Sequence, residues 1–179
     1  MSTEFNIRKG DMFSFLTSSD LDGTMQVVLH SCNAQGVMGA GFAATVKSRF
    51  PECYQTYVNE LALNTDPIKR LGTFSIYHNQ SARNEFFIVN IIGQLYYGKT
   101  PGFRYTSYDA IDTALKNIDE MFFIDIPVNF HFPKIGSVRG GGSWDVVSQI
   151  IKHRLNRNQY TLNLWEIIVT GKQIGRAHV

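Results

Sequence analysis

The segment LHSCNAQGVMGAGFAATVKSRFPECYQTY, residues 29–57, carries most of the information about how this chain folds. It continues a β-branched apolar run within Met25–Ser31, which is typical of a buried strand. A glycine-rich turn follows, from Gly36 to Gly41. From Phe42 onward, apolar residues recur every three or four positions, as on one face of a helix, and Pro51 is expected to interrupt that helix. The segment therefore predicts a strand, a glycine turn and a helix in succession.

Strands and helices continue to alternate on both sides of this segment. Further strands are predicted at Phe5–Lys9, Gly72–His78, Glu85–Gly93, Pro127–Phe132 and Thr161–Glu166. A second helix is predicted after Thr106 or Ser107, and a third after Ser143, because these residues are good helix N-caps. The alternation predicts the α/β class, with a layered sheet that has a substantial parallel part.

The composition indicates one globular domain. The chain has 179 residues, 44% hydrophobic and 18% charged, with a formal net charge of +2. No dense stripe of Lys and Arg suggests nucleic-acid binding, and no apolar stretch is long enough to span a membrane. Cys32 and Cys53 stand outside any zinc or redox spacing, and the first residues lack the apolar segment of a secretory signal. We therefore expect a reduced, cytoplasmic setting without a membrane partner.

The last residues are expected to lie outside the domain. The string IGRAHV, Ile174–Val179, is what a common sequencing adapter encodes in one reading frame. We predict a domain over residues 1–168 and an adapter-derived tail over residues 169–179; a genuine polar tail is the alternative. Without Lys172 and Arg176 the formal charge falls from +2 to 0, so the slight basicity says nothing about partners.

A second glycine-rich loop, GSVRGGGS at residues 136–143, also follows a predicted strand and precedes a predicted helix. Glycines there let backbone N–H groups approach an anion, and α/β sheets bind ligands at the carboxyl ends of their strands. Neither loop has the GK[ST] ending of a Walker A motif or the GxGxxG dinucleotide pattern. Two such loops suggest a phosphate or pyrophosphate site; tight turns that need positive φ are the alternative.

Three motifs in order resemble those of macro domains, which bind ADP-ribose: IRKGDMF (residues 7–13), the segment 29–57 and FPKIGSVRGGGSW (residues 132–144). The resemblance covers Phe5 to about Glu166. HSCN and RFPECYQTY are most similar to fungal-type ADP-ribose 1″-phosphate phosphatases. Hydrolases that remove terminal ADP-ribose from glutamate are also similar, and such proteins occur in phages. The resemblance implies a mixed, mostly parallel sheet between helical layers.

The resemblance also implies a set of ligand-binding residues. Asp11, with Met12 beside it, would bind the adenine amine; a helix cap or turn is the alternative role for Asp11. Asn33 would bind the distal ribose; capping of the backbone at a strand end is its alternative. The remaining residues implied as binding the distal ribose and phosphates are Val37, Met38, Gly39, Ala40, Gly41, Gly136, Ser137, Val138, Arg139 and Gly140. Arg139 could instead point into solvent.

His30 is the catalytic candidate that the resemblance implies, with Asn33 assisting. The histidine would activate water or attack the 1″-phosphate itself, since the ordinary imidazole pKa suits proton transfer near neutrality. A histidine that only packs within the sheet is the alternative. Lys99 matches a region where the glutamate-directed relatives have a nucleophilic lysine, but residues 137–143 lack the acidic residue that assists it. Lys99 is thus expected to be a solvated or phosphate-facing side chain.

These observations lead to one expected function and two alternatives. We expect a phosphatase that hydrolyses ADP-ribose 1″-phosphate, a small-molecule ADP-ribose derivative, without a cofactor. His78, His131 and His153 share no ligand spacing, so no metal is expected. One alternative is a binding module without catalysis. The other is a hydrolase that removes ADP-ribose from modified protein or nucleic acid, which is the one way nucleic acid would be a partner.

Overall fold

The computed structural model describes residues 4–18, 20–21, 23–80 and 85–167. The tail predicted over residues 169–179 lies outside these described residues. The strands are β1 (Phe5–Gly10), β2 (Met25–Asn33), β3 (Phe74–Asn79), β4 (Phe86–Gln94), β5 (Val128–Phe132) and β6 (Tyr160–Ile167). The helices are α1 (Met12–Ser18), α2 (Gly41–Arg49), α3 (Pro51–Ala62), α4 (Pro67–Arg70), α5 (Tyr108–Phe122) and α6 (Trp144–Arg154).

The six strands form one sheet in the order β1-β6-β5-β2-β4-β3. All neighbouring strands run parallel except β3, which pairs antiparallel with β4. The predicted mixed, mostly parallel sheet is therefore confirmed. Because β2, β4, β5 and β6 are parallel, their carboxyl ends meet at one edge of the sheet, and the glycine-rich loops leave from that edge.

Helices cover both faces of the sheet, as predicted. On one face, α5 and α6 bury Ile111, Leu115 and Ile151 against alternate residues of the central strands. On the other face, α1 and α2 pack Phe13 and Val46 against Val28 and Ile88. Side chains alternate across a strand, so Leu29 faces α5 while its neighbour Val28 faces α1 and α2.

The predicted helix boundaries agree with the structure. The helical pattern after Gly41 divides into α2 and α3, because Pro51 cannot donate a backbone hydrogen bond and instead begins the second helix. Ser107 caps α5 and Ser143 caps α6 through their side chains. The short helices α1 and α4 were not predicted. None of the helices in the described ranges is long and apolar enough to cross a membrane.

Candidate functional site

A cavity of about 930 Å³ opens at the carboxyl ends of the parallel strands. Its floor includes the ends of β2, β4 and β6, and its walls come from residues 40–45, 99–105 and 133–141. A smaller cavity of about 180 Å³ shares Phe42, Thr45 and Ile167 with it. The larger volume falls within the range of roughly 300–1,000 Å³ that is typical of small-molecule sites. The two cavities are therefore adjacent, at the expected edge of the sheet.

The structure brings most of the predicted site residues to these two cavities. His30, Ala40, Gly41, Gly136, Val138, Arg139 and Gly140 border the larger one. Asp11 and Met12 border the smaller one. Asn33, Val37, Met38, Gly39 and Ser137 border neither of the two. Met38 is buried instead in a cluster with Tyr57 and Leu61, beneath the first glycine-rich turn.

The second glycine-rich loop is held in shape by Thr106, which is 2% exposed. The Thr106 hydroxyl donates to the Gly136 carbonyl at 2.7 Å, and the Thr106 backbone N–H donates to the Gly140 carbonyl at 3.0 Å. Gly136 has φ +66°, and a Cβ at Gly140 would collide with the Thr106 hydroxyl. Both glycines are therefore required by this close approach, and the loop lies preformed beside the cavity.

His30 lies at the floor of the larger cavity, near the end of β2, and is 2% exposed. Its Nε2 is 2.6 Å from the Asn90 Oδ1, and Phe42 packs edge-on against the ring. Burial lowers the pKa of His30 to about 4, although the hydrogen bond that the ring donates to Asn90 opposes part of that shift. The imidazole is therefore neutral at pH 7.

Asp11 caps α1 from the margin of the smaller cavity. Its Oδ1 accepts hydrogen bonds from the backbone N–H groups of Phe13 and Ser14, and Arg49 bonds both carboxylate oxygens at 2.8–2.9 Å. Partial burial raises the pKa of Asp11, but the bonds from Arg49 and the backbone lower it more, so the net shift is downward. The carboxylate is ionised, and Oδ2, with one bond from Arg49, keeps acceptor capacity toward the cavity.

Asn33 uses its side-chain amide to hold the turn that follows β2. The Nδ2 donates to the Val37 carbonyl at 2.8 Å, and the Oδ1 accepts from the Gln35 N–H at 2.9 Å and from the Tyr57 hydroxyl at 3.0 Å. This is the backbone-capping role that the sequence left open. A direct contact of Asn33 with a ribose stays a prediction.

The loops around the larger cavity favour an anionic ligand. Residues 95–107 and 133–143 contain Lys99, Arg104, Lys134 and Arg139 and no acidic residue. Lys99, Lys134 and Arg139 border the cavity, and Glu166 is the one acidic residue among the described residues that line it. The Arg139 Cδ would lie 3.0 Å from a Cβ at Gly41, so this side chain lies across the first glycine-rich loop.

Three features of the site were missed from the sequence. Gln94 and the end of β6, residues 164–167, border the cavity but have no motif of their own. Their place at the carboxyl ends of strands was the available signal. The third, Asn90, lies within the apolar run of β4, and its contact with His30 depends on which strands become neighbours.

The described residues contain no group of three or more His, Cys, Asp or Glu side chains that could hold a metal ion.

Known proteins with related sequences include phage and fungal proteins. An uncharacterised 17.5 kDa protein of Enterobacteria phage T4 is 24% identical over 139 residues, 78% of this chain and 86% of that protein. An ADP-ribose 1″-phosphate phosphatase of Scheffersomyces stipitis is 35% identical over 75 residues, 41% of this chain and 42% of that protein. A DNA ADP-ribosyl glycohydrolase of Thermus aquaticus is 25% identical over 144 residues, 80% of this chain and 38% of that protein. The chain thus spans less than half the length of the two named hydrolases that it matches.

Solved structures show the same fold. A macrodomain protein from Streptomyces coelicolor superimposes with a TM-score of 0.62 at 25% identity, over 90% of this chain and 99% of that one. The Thermosipho africanus DarTG in complex with ADP-ribose superimposes with a TM-score of 0.63 at 20% identity, over 86% of this chain and 40% of that one. No protein-family model matches the sequence. Matched to a solved macrodomain along nine-tenths of its length, this chain has the macro domain fold.

Proposed function

We propose that this macro domain binds ADP-ribose derivatives across its two joined cavities and hydrolyses ADP-ribose 1″-phosphate to ADP-ribose and phosphate. The observation that carries the proposal is His30: a neutral imidazole at the floor of a glycine-looped cavity, with one ring nitrogen not bonded to any nitrogen or oxygen among the described residues. The named relatives, a phosphatase and a glycohydrolase acting on ADP-ribose derivatives, support a hydrolase of this general kind.

The shape of the site suits the parts of ADP-ribose. Adenine would lie in the smaller cavity, with its amine donating to the Asp11 Oδ2 and Phe42 beside it. The pyrophosphate would lie against Gly136–Gly140, whose preformed backbone donors need no reorganisation on binding. The distal ribose would then lie near Ala40 and Gly41, with the 1″-phosphate toward His30. Asn33 would support this arrangement by holding the turn that leads into Ala40.

His30 would supply the chemistry through Nδ1. As a base it would take a proton from the water that attacks phosphorus; as a nucleophile it would bond to phosphorus, and water would then release the phosphate. In either case the P–O bond to ADP-ribose breaks and the 1″-oxygen leaves. The ring must be neutral for both roles, and burial keeps it neutral at pH 7. Arg139 and Lys134, which border the cavity, would offset the negative charge of the phosphates.

A second candidate is removal of ADP-ribose from nucleic acid or protein, and it is favoured by the position of Lys99. That side chain borders the same cavity as Phe103, an aromatic residue that is 54% exposed. Lysine attack on the ribose would need an acid close by, and the one acidic residue of the lining, Glu166, adjoins Ile167 at the adenine side. The phosphatase is therefore the better supported of the two.

The test is incubation of the full chain with ADP-ribose 1″-phosphate, followed by ion-exchange separation of the nucleotides and assay of free phosphate. Conversion to ADP-ribose with release of one phosphate is the expected result. An ADP-ribosylated oligonucleotide is incubated in parallel, and release of free ADP-ribose from it alone would favour the second candidate. Calorimetric binding of ADP-ribose without turnover of either substrate would show a binding module.

A further inference from the structure

Asn90 is a fully buried amide in the middle of β4, and it is 0% exposed. Its register neighbours are His30 on β2 and Ser75 on β3. The three side chains form a polar row across three adjacent strands, because paired residues share one face of a sheet. Burying polar groups costs free energy unless they are hydrogen-bonded, and the hydrogen bonds between these side chains offset that cost.

These contacts orient the amide of Asn90. Its Nδ2 donates to the Ser75 Oγ at 3.0 Å, and its Oδ1 accepts from the Cys53 thiol at 3.4 Å. The same Oδ1 is 2.6 Å from the His30 Nε2. Because a carbonyl oxygen can only accept, the Nε2 of His30 must carry the hydrogen. In a neutral imidazole the other nitrogen, Nδ1, then holds the lone pair.

Among the described residues, no charged side chain bonds to the His30 ring or to Asn90. The Cys32 sulfur lies 3.8 Å from Nδ1 and 3.7 Å from Nε2, so it is a weak neighbour of both ring nitrogens. The titratable groups of the cluster are the thiols of Cys32 on β2 and Cys53 on α3. Burial raises the pKa of both, so they stay neutral. The ring is therefore bonded to a neutral amide, which favours a charged imidazolium much less than a carboxylate does.

We propose that Asn90 is a positioning residue for the phosphatase reaction, which holds His30 as the Nε2–H tautomer and leaves Nδ1 unprotonated for the chemistry in the cavity. This inference rests on the proposed function. Ser75 takes the far end of the amide and prevents it from rotating, so the row from β3 to β2 orients the imidazole from behind.

The first test reads the tautomer directly in the wild-type full chain. Nitrogen-15 NMR of the histidine rings at pH 7 distinguishes a protonated Nε2 from a protonated Nδ1. The expected spectrum has a His30 ring with hydrogen on Nε2. A ring with hydrogen on Nδ1 would overturn the proposal without any need for a variant.

The second test compares Asn90→Leu with Asn90→Asp. Loss of the amide in Asn90→Leu frees the ring, and kcat is expected to fall about 10²-fold while KM changes little, as for loss of an oriented proton acceptor. The carboxylate of Asn90→Asp favours the imidazolium, so the acidic limb of the pH–kcat profile should move to higher pH. A profile that keeps its wild-type limb in folded Asn90→Asp contradicts the proposal.

Ser75→Ala is the matched control, because it shortens the row but keeps the bond between Asn90 and His30. It should lower kcat less than Asn90→Leu does, and an equal loss would show a merely structural role for the row. Failure of the proposed function is distinguishable. If the wild-type protein shows the Nε2–H tautomer by NMR but no turnover, the proposed function is wrong. The role of Asn90 in turnover is then wrong as well.

Discussion

His30 and His131 are two buried strand histidines that share their first hydrogen bond and differ in their second. Both face the α1–α3 side of the sheet, and in both the Nε2 lies within 2.7 Å of a side-chain amide oxygen, Asn90 for His30 and Gln26 for His131. The Nδ1 of His131 accepts a further hydrogen bond from the Trp165 indole at 2.9 Å. The Nδ1 of His30 has the Cys32 sulfur at 3.8 Å instead.

A structural histidine and a candidate catalytic one are not distinguished here by their pKa values. Burial lowers the pKa of both rings, to about 4 for His30 and, with Arg8 nearby, to about 3 for His131. A perturbed pKa therefore does not identify the reactive residue here. The absence of a nitrogen or oxygen partner at Nδ1 among the described residues and the place beside a cavity do, since His30 borders the larger cavity and His131 borders neither of the two.

The largest expected effect is on turnover in His30→Gln. Glutamine can still donate to Asn90 but has no basic nitrogen, so kcat for ADP-ribose 1″-phosphate should fall about 10²- to 10⁴-fold. Affinity for ADP-ribose, measured by calorimetry, should change little because the glycine loops are untouched. His131→Gln is the control and should keep wild-type kcat at a temperature where it is folded. Equal losses in both variants would remove the distinction between the two histidines.

The next effect concerns stability at mildly acidic pH. Both histidines have lowered pKa values when folded and bind protons near pH 6.5 when unfolded. The unfolded state thus takes up more protons below pH 6.5, so stability is full above that pH and is lost as pH falls toward 4 and then 3. Each ring contributes a slope of about 1.4 kcal/mol per pH unit in that window.

Urea unfolding at pH 7.5, 6 and 5 measures this slope. Between pH 6 and 5 the wild-type protein should lose stability with a slope that approaches about 2.7 kcal/mol per pH unit from the two rings together, and His131→Leu should show about half. A wild-type stability that stays flat between pH 6.5 and 5 would mean that neither ring is held neutral by the fold.

A smaller effect is expected on stability at pH 7 in His131→Leu. The substitution leaves the Trp165 indole N–H and the Gln26 amide oxygen buried without their partner. Such groups cost about 1–3 kcal/mol each, or about 2–6 kcal/mol for the two, and burial of the leucine side chain offsets part of this. A net loss of about 2–4 kcal/mol is expected, seen as a melting temperature lower by roughly 5–15 °C. A melting temperature within 2 °C or so of wild type would contradict the assignment of His131 as a structural residue.

Much of the fold could be predicted from local patterns, since strand alternation, Pro51 and the serine caps each act within a few residues. The short helix α1 was not predicted because Asp11, which caps it, was interpreted as a ligand residue. In the structure the Asp11 carboxylate caps the helix and also borders the smaller cavity, so one side chain can have both roles. Asn33 shows the same ambiguity, since its amide is used by the turn after β2. A polar residue near a glycine loop can thus serve the backbone, the ligand or both.

The rest of the site depends on which strands become neighbours. Asn90 stands in the apolar run FFIVNIIG, and nothing local connects it to a histidine 60 residues earlier. The role of Thr106 in shaping the second glycine loop depends in the same way on residues 30 positions apart. Local sequence patterns were enough to predict the glycine-rich loops. The contacts that orient these loops could be predicted only with the order of the strands in the sheet.

The smallest effect is expected on ligand affinity, for substitutions at two glycines. Gly39 and Gly140 were both predicted to contact ligand, yet only Gly140 borders a cavity. A methyl group in Gly140→Ala would collide with the Thr106 hydroxyl and displace the phosphate loop, and overpacking of this kind costs about 1–3 kcal/mol. We expect about tenfold weaker ADP-ribose binding by calorimetry. In Gly39→Ala the Cβ would meet the Val37 Cγ1 at 3.6 Å, an ordinary contact, so affinity should stay within about twofold. A tenfold loss in Gly39→Ala would instead restore the sequence prediction that this residue contacts the ligand.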